Sequence, residues 1–107
     1  MNIQENNKLI AEFMGCTHPF NEIHDATLYK IEQGTFELDE LQYHKSWDWL
    51  MLVVEKIENM GCEVVMTNAE CTISGANDYY VKSIGKSRIG ATYLAVVEFI
   101  NEYNKNK

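Results

Sequence analysis

The groups on this chain that could do chemistry are few, and their spacing decides how much they can do. Three cysteines, three histidines and 16 carboxylates are spread over 107 residues. The nearest approach to a metal site is Cys16, His18 and His24, with Asp25 beside the last. Soft and borderline donors of these types can bind zinc, but recognised zinc sites use paired ligands at tighter, repeated spacings, so residues 16–25 read as an ordinary polar loop around the single proline and no metal is expected. Cys62 and Cys71 form no C-x-x-C pair with each other or with Cys16, which fits reduced thiols acting as small apolar fillers. His44 sits beside Tyr43 just before Trp47. A histidine there can act as a base or can hydrogen-bond an exposed backbone group at a helix start, and the structural role is the favoured one. No Ser-His-acid or Cys-His signature and no glycine-rich phosphate loop gives any of these side chains a reaction to perform. The chain therefore reads as non-catalytic, with no cofactor.

Charge points toward binding instead. The formal net charge is −7, and the first 44 residues hold only Lys8 and Lys30 against eight carboxylates. Glu32, Glu37, Asp39 and Glu40 crowd one short stretch. Such a surface repels a phosphate backbone and suits a basic protein partner, although a solvated charge run is the simpler account. Lys82, Lys86 and Arg88 make a small basic spot, too few charges for nucleic-acid binding. At 46% hydrophobic residues the chain can build a core, and no apolar run approaches the roughly 20 residues that span a bilayer. The N-terminal stretch lacks the basic and apolar regions of a secretory signal. A cytoplasmic, membrane-free protein is expected.

The elements that must position these residues are legible in the periodicity. Residues 46–61 form the strongest helix, with Ser46 as N-cap, Asp48 in the first turn and Gly61 as the stop. Trp47, Leu50, Met51, Val54 and Ile57 recur at helical spacing, while Trp49 leads a second stripe through Leu52, Val53 and Lys56. One stripe must meet a sheet; the other must meet the remaining helices or a partner, which makes Trp49 a candidate interaction residue. An N-terminal helix is expected to end at Met14 with Gly15 as its stop. A last helix begins at a Ser87 cap and carries Ile89, Tyr93, Val96, Ile100 and Tyr103 on one stripe. Between the helices, residues 26–38 fit a hairpin turning at Gln33-Gly34, with Ile31 opposite Phe36 and Lys30 opposite Glu37. Residues 62–75 fit a second hairpin turning at Asn68-Ala69, with Met66 opposite Cys71, Val64 opposite Ile73 and Cys62 opposite Gly75. A further strand follows over residues 79–84, with either Tyr79 and Val81 or Tyr80 and Ile84 pointing inward.

The segments YHKSWDWLMLVVEKIE and SRIGATYLAVVEFINEYN resemble a family of small proteins from phages and from prophage-bearing gut bacteria related to Bacteroides, described as having a phage alpha-beta-alpha sandwich domain. The resemblance rests on Tyr43, His44, Ser46, Trp47, Asp48, Trp49, Val54, Glu55 and Ile57 in the first segment. In the second it rests on Ser87, Ile89, Ala91, Tyr93, Val96, Val97, Glu98, Phe99, Ile100, Tyr103 and Asn104. Gly90 departs from the pattern, where members often carry an acidic residue. The resemblance implies a three-layer sandwich and a phage or prophage setting, and it implies no catalytic residue. Together these readings predict one α+β domain over residues 1–107, with an antiparallel sheet built from the hairpins, three helices packed on it and a disordered tail from about residue 104. The expected function is that of a small acidic accessory protein acting as a protein-interaction or structural module. The alternatives are an acidic inhibitor of a host nucleic-acid-binding protein and a homodimer burying part of the last helix.

Overall fold

The computed structural model describes residues 3–15, 28–31, 34–37, 40–75 and 80–105. Its elements run α1 (Ile3–Phe13), β1 (Leu28–Ile31), β2 (Gly34–Glu37), α2 (Trp47–Asn59), β3 (Cys62–Met66), β4 (Glu70–Gly75), β5 (Tyr80–Ile84) and α3 (Arg88–Lys105). The class is α+β, as expected. Among the described residues there are two sheets and not one: β3, β4 and β5 form an antiparallel three-stranded sheet in that order, and β1 pairs with β2.

The second hairpin has the expected register, with Cys62 opposite Gly75, Val64 opposite Ile73 and Met66 opposite Cys71. Thr67 N–H donates to the Glu70 carbonyl at 2.8 Å and closes the turn over Asn68 and Ala69. At the other end of the hairpin the backbones crowd together. Gly75 has φ +146°, and a Cβ there would lie 2.8 Å from both Cys62 Cα and the Gly61 carbonyl oxygen. Only glycine fits that approach. Alternation then sorts the sheet. Cys62, Cys71, Ile73 and Val81 join the buried cluster, whereas Val65, Tyr80 and Ile84 are exposed. The open question for β5 resolves with Val81 and Ser83 inward and Tyr80 and Ile84 outward; Tyr79 lies outside the described residues.

The first hairpin differs from its expected register. Ile31 pairs with Gly34, Lys30 with Thr35, Tyr29 with Phe36 and Leu28 with Glu37. The connection is therefore Glu32-Gln33, which lies outside the described residues, and Gly34 begins the second strand. Moving a turn by one residue moves every partner by two, and side chains alternate with period two, so Ile31 and Phe36 share a face in either register. Polarity sorting cannot separate two such pairings. Lys30 is therefore not directly opposite Glu37, as the expected register had it.

In α2, Leu50, Val53, Val54 and Ile57 are fully buried, and Met51 is 40% exposed. The buried stripe is thus rotated from the expected one: Val53 replaces Met51, and Trp47 is half-buried. Ser46 has the extended backbone of an N-cap, and its carbonyl accepts from Leu50 N–H at 3.0 Å, but its hydroxyl makes no capping bond. Ser87 does cap α3, its Oγ accepting from Gly90 N–H at 3.1 Å. The helix continues through Asn104 to Lys105, past the point where a disordered tail was expected to begin.

Helix α3 packs on β4 and β5, α2 packs on β3 and α3, and α1 docks on α3. Lys56 Nζ lies 4.7 Å over the Phe13 ring and donates to the Phe13 carbonyl, tying the C-terminus of α1 to α2. Among the described residues, the face of the three-stranded sheet that bears Tyr80 and Ile84 carries no helix. The two-layer arrangement seen there leaves the further layer of the sandwich implied by the resemblance without a counterpart among those residues.

Candidate functional site

Cys16, His18 and His24, the weak metal candidates, lie outside the described residues. Among the described residues no group of three histidines, cysteines or acids could hold a metal ion. Cys62 and Cys71 are both buried on the core side of their hairpin, as its register implied. Burial pushes the Cys71 thiol up, with a hydrogen bond to Thr92 acting the other way, so it is a poorer nucleophile than an exposed thiol.

His44 belongs to a polar node that sequence periodicity did not expose. Asn7, buried to 2% exposure, donates from Nδ2 to the Leu41 carbonyl at 3.1 Å and to His44 Nδ1 at 3.0 Å. Tyr93 Oη donates to Asn7 Oδ1 at 3.0 Å and lies 3.3 Å from the Ile3 carbonyl. An amide nitrogen can only donate, so His44 Nδ1 must be the unprotonated acceptor and its proton sits on Nε2. Nδ1 is thereby engaged and unavailable as a base. Desolvation by burial, and then the neighbouring Lys45 charge, hold His44 below its ordinary pKa of 6.5, while burial raises Tyr93 to about 12. The node clamps α1 and the residues before α2 onto α3, which is a structural task.

A pH dependence follows. The folded state resists protonating His44 and the unfolded chain does not, so stability is full above about pH 6.5 and declines as pH falls below that value toward the lowered folded pKa. Thermal unfolding at about pH 7.5 and about pH 5 should show a larger drop for the wild type than for His44→Gln. Equal drops would remove His44 from the account.

The expected interaction residues are placed unevenly. Glu37 and Glu40 are exposed and adjacent, and Glu37 N–H donates to Glu40 Oε1 at 2.8 Å. Glu32 and Asp39 lie outside the described residues. Trp49 is half-buried, with its ring edge-on to Phe36 at 4.8 Å and to Tyr43 at 5.1 Å. It fastens the β1–β2 hairpin to α2. The basic spot is dispersed: Lys82 pairs with Glu70 at 3.4 Å, and Arg88 donates to Asn68 Oδ1 at 3.2 Å.

The surface that stands out is the outer edge of β5. In an antiparallel ladder, alternate residues bond to the same neighbour. Gly85 N–H donates to the Ala69 carbonyl, so the β4–β5 register assigns Val81 and Ser83 to β4 and turns the N–H and C=O groups of Tyr80, Lys82 and Ile84 outward. Among the described residues no strand pairs with them. Tyr80 is 66% and Ile84 69% exposed on the open face. On the helix side, a groove of about 520 Å³ runs between β5 and α3, floored by Ser83, Leu94 and Val97 and bordered by Glu98 and Asn101. The signal for this surface was already in the strand sequence, which is apolar on both faces at Tyr80, Val81 and Ile84. No protein-family model, no curated protein and no solved structure matches this chain.

Proposed function

We propose that this chain is a non-catalytic protein-interaction module whose binding surface is the edge of β5. The observation that carries this reading is the row of outward backbone groups at Tyr80, Lys82 and Ile84, flanked by two large exposed apolar side chains. A strand edge with no partner among the described residues is a template for an added strand, and β-augmentation is a common mode of peptide recognition. Lys82 is the one charge on the strand and is of the type that guards an edge against indiscriminate pairing. The engaged His44 ring and the raised Cys71 thiol weigh against catalysis. The phage or prophage setting implied by the resemblance would make the partner a host or phage protein in the bacterial cytoplasm.

The acidic-inhibitor alternative rests on Glu37 and Glu40 and on the net charge of −7. It ranks second because one Glu40 oxygen is already bound to the Glu37 backbone.

Lys82→Pro tests the primary reading. It removes an outward donor and leaves the β4 bonds intact, and edge strands tolerate proline. The variant should fold, with unfolding within a few degrees of wild type, roughly what a change below 1 kcal/mol allows. It should also lose a partner that the wild-type chain retains in affinity capture from host extract. A partner held equally by both proteins, or none held by the wild type, would count against the β5 edge.

A further inference from the structure

Building on that reading of the β5 edge, we infer that the occupant is an extended basic segment of another protein, selected by Glu98. A strand added beside β5 would send alternate side chains to the two faces of the sheet. Those on the open face would lie beside Tyr80 and Ile84. Those on the helix side would enter the groove along α3, where Leu94, Glu98 and Glu102 follow one another at four-residue intervals. Four residues of helix rise about 6 Å, and two residues of strand advance about 6.6 to 6.8 Å, so successive inward side chains of a bound strand can meet successive turns of α3.

The charges in the groove specify what those side chains should be. Lys82 is paired with Glu70 at 3.4 Å, and Lys105 with Glu102 at 3.4 Å. Glu98 has no ion pair among the described residues; its carboxylate has only the Ser83 hydroxyl at 3.5 Å. One unbalanced carboxylate therefore sits beside an apolar floor of Leu94 and Val97. A partner that places an apolar side chain on Leu94 and a lysine or arginine two residues away beside Glu98 satisfies both. The net charge of −7 would speed the encounter with such a segment.

A second copy of this chain fits less well. Pairing β5 with itself so that all three outward residues bond sets Tyr80 against Ile84 of the other copy and Lys82 against Lys82, and like charges directly opposite are destabilising.

The test uses the whole chain, isotope-labelled, titrated with the blocked peptide acetyl-Thr-Leu-Val-Lys-Val-Lys-Thr-amide and with a matched peptide carrying glutamate in place of both lysines. Backbone amide shifts and hydrogen exchange are followed by NMR. The lysine peptide should protect the amides of Tyr80, Lys82 and Ile84 and bind about five- to tenfold more tightly than the glutamate peptide at low salt. Glu98→Gln, a change of an exposed side chain, should remove most of that preference while leaving the amide protection pattern in place. Equal binding of the two peptides, or a preference unchanged in Glu98→Gln, would overturn the selection of a basic segment and leave the β5 edge standing as a strand-binding surface. If neither peptide protects the three amides, both the inference and the edge reading fail. If protection appears without peptide and grows with protein concentration, the occupant is a second copy and the inference is overturned.

Discussion

Phe99→Ala is expected to lower the unfolding free energy by about 3 to 5 kcal/mol, the range for aromatic truncation in a core. Phe99 lies in the middle of α3 with no exposed surface. Its ring meets Phe13 edge-on at 6.3 Å and stacks on Tyr103 at 6.3 Å. Phe13 in turn meets Tyr103 at 5.7 Å, so three rings from α1 and α3 form one cluster beneath Lys56. Truncation leaves a cavity at the joint where α1 is held, and the last turn of α1 should fray first. Denaturant titration gives the total cost, and hydrogen exchange across residues 10–14 should show the local loss. A cost below about 1 kcal/mol would mean that the cluster can close over the gap and does not hold α1.

The second large effect is expected at Asn7. Its amide satisfies the Leu41 carbonyl, His44 Nδ1 and the Tyr93 hydroxyl at once. Asn7→Ala removes all three partners and leaves buried polar atoms behind, each costing about 1 to 3 kcal/mol when unsatisfied; Tyr93 retains the Ile3 carbonyl within reach, so a net loss of about 2 to 4 kcal/mol is expected. Tyr93→Phe removes one arm of the same node, so the two changes should be strongly non-additive: Tyr93→Phe should cost less in the Asn7→Ala background than in the wild type. Additive costs would show that the groups act independently and that the node is a set of separate contacts.

These residues also show where sequence reasoning reached its limit. The β3–β4 register was legible because a two-residue turn and an uninterrupted alternation agree on a single pairing. The β1–β2 register is not legible in the same way, because two pairings that differ by one turn residue sort polar from apolar equally well. Asn7 was passed over because periodicity arguments count apolar residues. Its signal was positional: it falls one turn before Ile10 and Ala11, the buried apolar residues of α1, and a polar residue in that stripe must bond to something once buried. Trp49 reads from sequence as a candidate contact residue because a helical wheel shows two stripes and cannot say what covers the second one. At Trp49 the neighbours are Phe36 of β2 and Tyr43. Of the β5 edge proposed for binding, only the apolar residues on both faces were legible, since whether β5 ends the sheet depends on strand order, which local pattern does not determine.

The strand edge itself can be examined with no partner in hand. Amide hydrogen exchange on the isolated chain at low concentration should divide β5 by alternation: Val81 and Ser83, bonded to β4, exchange slowly, while Tyr80, Lys82 and Ile84, turned outward, exchange close to the rate of an open chain. That result would establish the open edge on which the binding reading stands. Protection of all five amides alike in the isolated monomer would mean that the edge is already covered, and it would contradict the account.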